Sequence, residues 1–110
     1  MSIKIITLGT AAFIPGLDRD NVSLLVKAGS ELLLVDCPGS VVQKIRKAGF
    51  SPWNIRRVIL THDHVDHILG IASLVFVNIR RTKPIFIYGP AQSLKTVRNM
   101  LDSLGLRDTK

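Results

Sequence analysis

The amino-acid sequence predicts an α/β protein that contains a mixed β-sheet. Short β-branched apolar runs alternate with longer amphipathic stretches, an order typical of layered α/β domains. Hydrophobic residues make up 46% of the 110 residues and charged residues 21%, a composition typical of folded chains. A chain of this length has room for one core, so we expect a single domain over residues 1–110.

The first half of the chain contains three predicted strands and one helix. Residues 3–8 and 22–27 are apolar runs, and a loop rich in turn formers separates them. Glu31–Val35 follows after Ala-Gly-Ser, a spacing that predicts a hairpin. The sequence of residues 41–49 predicts a helix that begins after Ser40 and ends at a glycine.

The second half alternates strand and helix. Residues 57–61, RVILT, are a compact run that predicts a buried strand. Residues 68–79 continue at helical length, residues 84–88 predict another strand, and residues 92–104 predict an amphipathic helix that ends at a glycine.

The charge balance favours an anionic partner. The net charge is +7, from 15 basic and 8 acidic residues, which favours phosphate, nucleic acid or acidic lipid. A solvated basic surface explains the same charge equally well, since no basic block or aromatic-interleaved run marks a nucleic-acid site.

The cysteine content and the hydropathy of the sequence indicate the cellular compartment in which we expect the protein. Cys37 is the single cysteine, which excludes an internal disulfide and fits a reducing compartment, so we expect a cytoplasmic protein. No activating base is identifiable beside Cys37, so a buried filler is a better interpretation than a nucleophile. No apolar run approaches membrane-spanning length, and we expect no membrane partner.

All three histidines lie within six positions, in the sequence THDHVDHILG of residues 61–70. In an extended strand end, His62 and His64 point to the same side and Asp63 points away. If a helix begins near Val65, Asp66 and His67 lie in its first turn and project toward the same pocket. Asp63 is then a loop or helix-cap acceptor rather than a ligand.

Imidazole and carboxylate ligands suit divalent metals. Zinc is the first expectation, and manganese or iron is also compatible. Two pairs of facing ligands suit a site with two metal ions better than a site with one.

The pattern HxHxDH resembles the signature of the metallo-β-lactamase superfamily, and the chain is most similar there to ribonuclease Z, the transfer-RNA 3′-processing endonuclease, and related phosphodiesterases. Three other stretches support the resemblance: GTAA at residues 9–12, LVDCPG at residues 34–39 and IYGP at residues 87–90. The resemblance implies the N-terminal half of a four-layer αββα sandwich, with helices on one side of a mixed sheet.

The resemblance also implies roles for five residues. His62 and His64 would bind the first metal, and Asp66 and His67 the second. Asp66 would also be the catalytic proton acceptor. Asp36 would orient a ligand histidine through its second ring nitrogen, although a turn-forming role for Asp36 explains the local sequence equally well.

The ligands that the superfamily supplies from its second half have no counterpart here, since no histidine follows His67. Three explanations stay open: a fragment, a chain completed by another subunit or copy, or a half-domain reused for binding. We favour the fragment. The superfamily's remaining architecture would begin where this sequence ends.

In its complete form, the expected protein is a metal-dependent hydrolase that cleaves a phosphodiester, with RNA as the leading substrate. Cyclic nucleotides and small phosphoesters or thioesters are alternatives within the same superfamily. A non-catalytic half-domain that acts in binding or assembly is the alternative from another class. We expect the isolated chain to be inactive, because each metal would have only two protein ligands.

Overall fold

The computed structural model describes residues 2–9, 23–61, 65–79 and 83–106. These residues form one five-stranded sheet in the order β1-β2-β3-β4-β5. The strands are β1 (Ile3–Gly9), β2 (Ser23–Ala28), β3 (Glu31–Val35), β4 (Ile55–Ile59) and β5 (Phe86–Tyr88). The predicted mixed sheet is confirmed, since β1, β2 and β3 pair antiparallel whereas β3, β4 and β5 pair parallel.

Four helices accompany the sheet: α1 (Val41–Lys47), α2 (Val65–Ile68), α3 (Ile71–Val77) and α4 (Ala91–Ser103). A 3₁₀ turn, Pro52–Asn54, precedes β4. Gly49 and Gly105, which follow α1 and α4, adopt φ angles of 91° and 69°, the left-handed conformation that ends helices. No helix in the described ranges is long and apolar enough to cross a membrane.

The core lies between one face of the sheet and the helices. Leu25, Leu34 and Val58 occupy neighbouring positions on β2, β3 and β4, and all three are fully buried. They share one apolar cluster with residues of α1, α3 and α4: Val41, Ile45, Ile71, Leu74, Val97 and Leu101. The helices therefore cover one side of the sheet, as the resemblance implies.

The other face of the sheet is apolar and open among the described residues. Ile3 and Ile5 are each 66% exposed, and Phe86 and Tyr88 are each 47% exposed. Arg57 lies in register with Phe86 on this face, and its guanidinium carbon is 5.8 Å from the centre of the Phe86 ring. We call this surface, formed by Ile3, Ile5, Arg57, Phe86 and Tyr88, the open sheet face.

Three predicted elements differ from the structure. The strand predicted at residues 57–61 is Ile55–Ile59, and it exposes Arg57 and Ile59 rather than being buried on both faces. The strand predicted at residues 84–88 is limited to Phe86–Tyr88. The helix predicted at residues 68–79 is interrupted at Gly70, for a reason that lies in the candidate site.

Candidate metal centre

The candidate site lies where the parallel strands β3 and β4 end. Val35 and Ile59 are partners at the last position of the two strands. The backbone N–H of Asp36 then donates to the carbonyl of Ile59 at 2.8 Å, and the N–H of Leu60 donates to Tyr88 at 2.8 Å. The residues that follow both strands therefore leave the sheet side by side, at the edge where α/β proteins place their functional side chains.

Asp36 is held firmly at this edge. Its side chain accepts hydrogen bonds from the backbone N–H and the hydroxyl of Thr61, each at 2.9 Å. The hydroxyl of Ser23 donates to the backbone carbonyl of Asp36 at 2.9 Å. Asp36 is 3% exposed and has a φ of 62°, a left-handed conformation that aspartate tolerates better than most residues. The carboxylate is therefore buried and fixed in direction.

His67 faces this carboxylate from α2. Its Nδ1 lies 2.8 Å from Oδ2 of Asp36, and its side chain is 12% exposed. A neutral imidazole that donates from Nδ1 to a carboxylate carries its lone pair on Nε2, and such a pair is the usual arrangement behind a metal-binding histidine. The donor chemistry of Asp36 and His67 therefore fits a divalent metal.

The backbone around Gly70 positions α2 over the end of β3. Cys37 donates its N–H to the carbonyl of His67 at 2.7 Å, and Gly70 donates to the carbonyl of Cys37 at 2.7 Å. A Cβ at Gly70 would lie 1.9 Å from the carbonyl oxygen of Pro38, so only glycine permits this approach. Because Cys37 pairs with the His67 carbonyl and the Gly70 N–H, which a continuous helix would pair internally, the predicted helix of residues 68–79 is interrupted between α2 and α3.

Cys37 is fully buried beside the site. Burial, and secondarily the negative charge of Asp36, raises the pKa of the Cys37 thiol. A protonated, inaccessible thiol is a poor nucleophile, and the prediction of a buried filler is confirmed.

The structure brings together Asp36 and His67 from the predicted site. It also confirms that a helix begins at Val65 and contains Asp66 and His67. The side chain of Asp66, together with His62, Asp63 and His64, lies outside the described residues. Within the described part of the chain, no group of three His, Cys, Asp or Glu side chains could hold a metal.

Thr61 and Ser23 contribute to the site although the sequence analysis assigned them no role. Thr61 directly precedes His62 at the end of a predicted strand, but a threonine there does not by itself indicate a contact with Asp36. Ser23 offered no signal either, because its contact with the Asp36 backbone depends on the pairing of β2 with β3.

Comparisons with known proteins identify the family and the fold of the chain. The sequence matches the family described as "Anti-Pycsar protein Apyc1" over residues 3–109. It is 38% identical to ribonuclease Z of Pyrococcus abyssi over 103 residues, covering 92% of this chain and 34% of that protein. It is 39% identical to ribonuclease Z of Methanococcus aeolicus, covering 90% of this chain and 31% of that protein.

Solved structures show the same fold. The metallo-β-lactamase fold protein YhfI from Bacillus subtilis has a TM-score of 0.77 at 28% identity, covering 88% of this chain and 40% of that one. Human tRNase Z, short form, has a TM-score of 0.82 at 24% identity, covering 94% and 40%. This chain thus spans about a third of the length of its curated relatives. It belongs to the Anti-Pycsar protein Apyc1 family, contains part of the metallo-β-lactamase fold and is similar in sequence to ribonuclease Z.

Proposed function

We propose that this chain supplies the HxHxDH half of a two-metal centre that hydrolyses phosphodiesters. The observation that carries the proposal is the pairing of His67 with the buried Asp36 at 2.8 Å, at the edge where β3 and β4 end. A buried carboxylate at this distance from a ring nitrogen can fix the direction of the imidazole as well as support the turn after β3. That direction matters most when the histidine binds a metal.

In this proposal, His62 and His64 bind one divalent ion, and Asp66 and His67 bind the other. Zinc is the first candidate, and manganese or iron is compatible with the same ligands. Bound in pairs, such ions lower the pKa of a water molecule and neutralise the charge that develops on a phosphate.

The residues of this chain would orient a metal ligand and accept a proton. Thr61 donates twice to Asp36 and so fixes its carboxylate. The carboxylate of Asp36, whose Oδ2 lies 2.8 Å from Nδ1 of His67, would favour the proton on Nδ1 and leave Nε2 for the metal. Asp66, which the HxHxDH pattern places between His64 and His67 in the sequence, would also accept the proton of the attacking water.

A phosphate-containing substrate is supported by the net charge of +7 and by the similarity to ribonuclease Z, whose name identifies RNA as its substrate. Precursor transfer RNA is therefore the first substrate to test. Cyclic nucleotides, small phosphoesters and thioesters are the alternative substrates, for another kind of hydrolase of this fold.

The single buried thiol supports a cytoplasmic location.

We further propose that turnover needs a partner, either a C-terminal half or a second copy of the chain. Two protein ligands per ion leave each ion weakly held, and precise placement of both ions is what a two-metal reaction requires. The chain alone is expected to bind metal but to show little or no hydrolysis.

Metal titration combined with a hydrolysis assay tests the proposal. The chain, stripped of metal, is titrated with zinc by calorimetry, beside His64→Ala and His67→Ala. It is then assayed on bis-p-nitrophenyl phosphate, a cyclic nucleotide and a precursor transfer RNA. Zinc binding that both substitutions weaken supports the centre, and equal binding by all three proteins contradicts it. Turnover at rates typical of enzymes, abolished by His64→Ala, would mean that the remaining ligands come from a second copy.

A binding or assembly role without catalysis is the second candidate. The open sheet face favours it, since it exposes Ile3 and Ile5 on one edge strand and Phe86 and Tyr88 on the other. In that case the chain would associate through this face, and removing the metal would leave the association unchanged.

A further inference from the structure

The positive charge of this chain is concentrated in one part of the sequence. Between Asp36 and Asp102, the only acidic residues are Asp63 and Asp66, both within the HxHxDH segment. The stretch from residue 37 to residue 62 contains five basic residues and no acidic one: Lys44, Arg46, Lys47, Arg56 and Arg57. This stretch contains α1, the 3₁₀ turn and β4.

A groove of about 450 Å³ lies between the end of α1, the 3₁₀ turn and the end of α3, and Arg46 is the basic residue that lines it. Arg46, Phe50, Trp53 and Val77 line it. The groove lies before the first residue of β4, whereas Thr61 and the candidate metal centre lie after the last. At about 3.3 Å per residue, the length of β4 separates the two sites by roughly 13 Å or more.

Trp53 forms a fixed aromatic wall of the groove. The ring is 48% exposed, yet its Nε1 donates to the carbonyl of Val77 at 3.0 Å. The turn that carries it is tied down as well, because Ser51 Oγ accepts from the backbone N–H of Trp53 at 3.2 Å. The indole therefore presents an oriented, accessible surface rather than a mobile one.

Arg46 and Lys47 are exposed in the last turn of α1. Neither forms an ion pair with an acidic side chain in the described ranges. The carbonyls of Lys44, Ile45 and Arg46 accept from the backbone N–H groups that follow the helix. These two cationic side chains are thus not used to cap α1.

We propose that this groove binds single-stranded nucleic acid, with a base stacked on Trp53, the adjacent phosphate held by Arg46, and further positive charge supplied by Lys47 next to Arg46 on α1. An exposed indole beside unpaired cations is the combination that such ligands require, because stacking tolerates any base and the cations follow the backbone. A concave groove and a hydrogen-bonded ring suit a base better than they suit a membrane surface. The site is separate from the metal centre and does not depend on hydrolysis there.

Trp53 is the single tryptophan of the chain, so its fluorescence reports on the groove directly. The full chain is titrated with a short oligouridylate in the presence of a chelator, which removes any contribution of metal. We expect saturable quenching that weakens as the salt concentration rises. Loss of both cations in Arg46→Gln/Lys47→Gln should weaken binding and lower the log–log salt slope by roughly 0.7 per lost phosphate contact.

A matched variant, Lys95→Gln/Arg98→Gln, removes the same charge from exposed positions on α4. It should bind a fluorescently labelled oligonucleotide nearly as well as the unchanged chain. Trp53→Ala, measured with the same labelled oligonucleotide, should bind roughly 5- to 150-fold more weakly, the range expected for one lost stacking contact. Circular dichroism establishes that each variant is folded.

Three results would overturn the proposal: no quenching at low salt, equal weakening by the α1 and α4 variants, or a Trp53 response to anionic lipid vesicles but not to oligonucleotide. Equal weakening would mean that the overall charge attracts RNA without a site. A response to vesicles alone would make the groove a membrane contact. None of these results depends on whether the metal centre hydrolyses RNA.

Discussion

At the scale of single residues, Asp36 offers the most direct test of the candidate metal centre. Asparagine keeps the shape of the side chain and tolerates the φ of 62° found at this position. It removes the charge that faces Nδ1 of His67. We expect Asp36→Asn to fold and to bind zinc roughly 10- to 100-fold more weakly, as for other groups that orient a metal ligand.

The control for this variant is Glu31→Gln, which removes a carboxylate that pairs with Arg57 at 2.9 Å on the surface of the sheet. Zinc affinity should not change in Glu31→Gln. Calorimetric titration of both variants gives the comparison. An unchanged affinity in Asp36→Asn would mean that Asp36 supports only the turn after β3.

The thiol of Cys37 provides a second test at this scale. Because burial raises its pKa, the thiolate that reacts with disulfide reagents is disfavoured in the folded chain. Raising the pH to about 8.5, where an ordinary cysteine is half ionised, should accelerate the labelling of the unfolded chain but not of the folded one. Labelling with Ellman's reagent, with and without denaturant, measures both rates. Rapid labelling of the folded chain would show that Cys37 is accessible.

The sequence indicated His67 as a ligand candidate for a physical reason, whereas Asp36 was implied only by the family resemblance, as the partner of an unspecified ligand histidine. Metal chemistry constrains residue type and spacing so strongly that the pattern HxHxDH carries its meaning without the fold. Thr61 was not predicted, because a threonine at the end of a strand has many ordinary roles. Its two hydrogen bonds to Asp36 join residues 25 positions apart, a contact that local sequence does not encode.

At the scale of the elements, the junction between α2 and α3 depends on Gly70. A Cβ there would lie 1.9 Å from the carbonyl oxygen of Pro38, which belongs to the backbone and has little freedom to move. We expect Gly70→Ala to lower the free energy of unfolding by about 1–3 kcal/mol, the range of overpacked sites. Because the same junction carries His67, zinc affinity should fall as well.

Gly39→Ala is the matched control. A Cβ at Gly39 would approach only the flexible side chain of Leu69, at 3.4 Å. Urea denaturation of both variants should separate them clearly, with Gly39→Ala close to the unchanged chain. Equal stability of the two would mean that α2 can shift away from Pro38 at little cost.

The boundaries of strands and helices were predicted closely where the local sequence marks them. The predicted Glu31–Val35 strand is confirmed, and the helix predicted at residues 92–104 is Ala91–Ser103, because glycines or apolar periodicity mark these segments. The prediction of one continuous helix at residues 68–79 was wrong, because the backbone of Cys37 and Pro38, distant in sequence, contacts the junction at Gly70. The strand at residues 57–61 was placed two residues late, because Ile55 pairs with Leu32 across the sheet.

At the scale of the whole molecule, the open sheet face predicts self-association of the isolated chain. Its exposed apolar residues lie on the two edge strands, β1 and β5, and exposed apolar residues on one face favour association with a partner. We expect Ile5→Lys/Phe86→Ser to reduce association, measured as the concentration dependence of mass in light scattering. Phe76→Ser, which removes a 63% exposed aromatic from α3, should leave association unchanged. A monodisperse monomer of the unchanged chain at high concentration would contradict the prediction.

The apolar stretch of residues 71–79 is divided between the core and the surface. Ile71 and Leu74 are fully buried against this chain's own core, whereas Phe76 is 63% exposed and Ile79 38% exposed. Sequence hydropathy alone does not separate the buried residues of such a stretch from the exposed ones, because both are apolar.

The change from antiparallel to parallel pairing at β3 has a consequence for the order of folding. The strands β1, β2 and β3 form an antiparallel meander, and β2 joins β3 by a tight turn at Gly29. The strands β4 and β5 can join only after helical crossovers are in place, which costs more loop-closure entropy. The contact between Asp36 and His67 spans this later region, so we expect it to form after the β2–β3 hairpin and to open before it. Native-state hydrogen exchange should then show lower protection at the Cys37 and Gly70 amides than at those of β2 and β3.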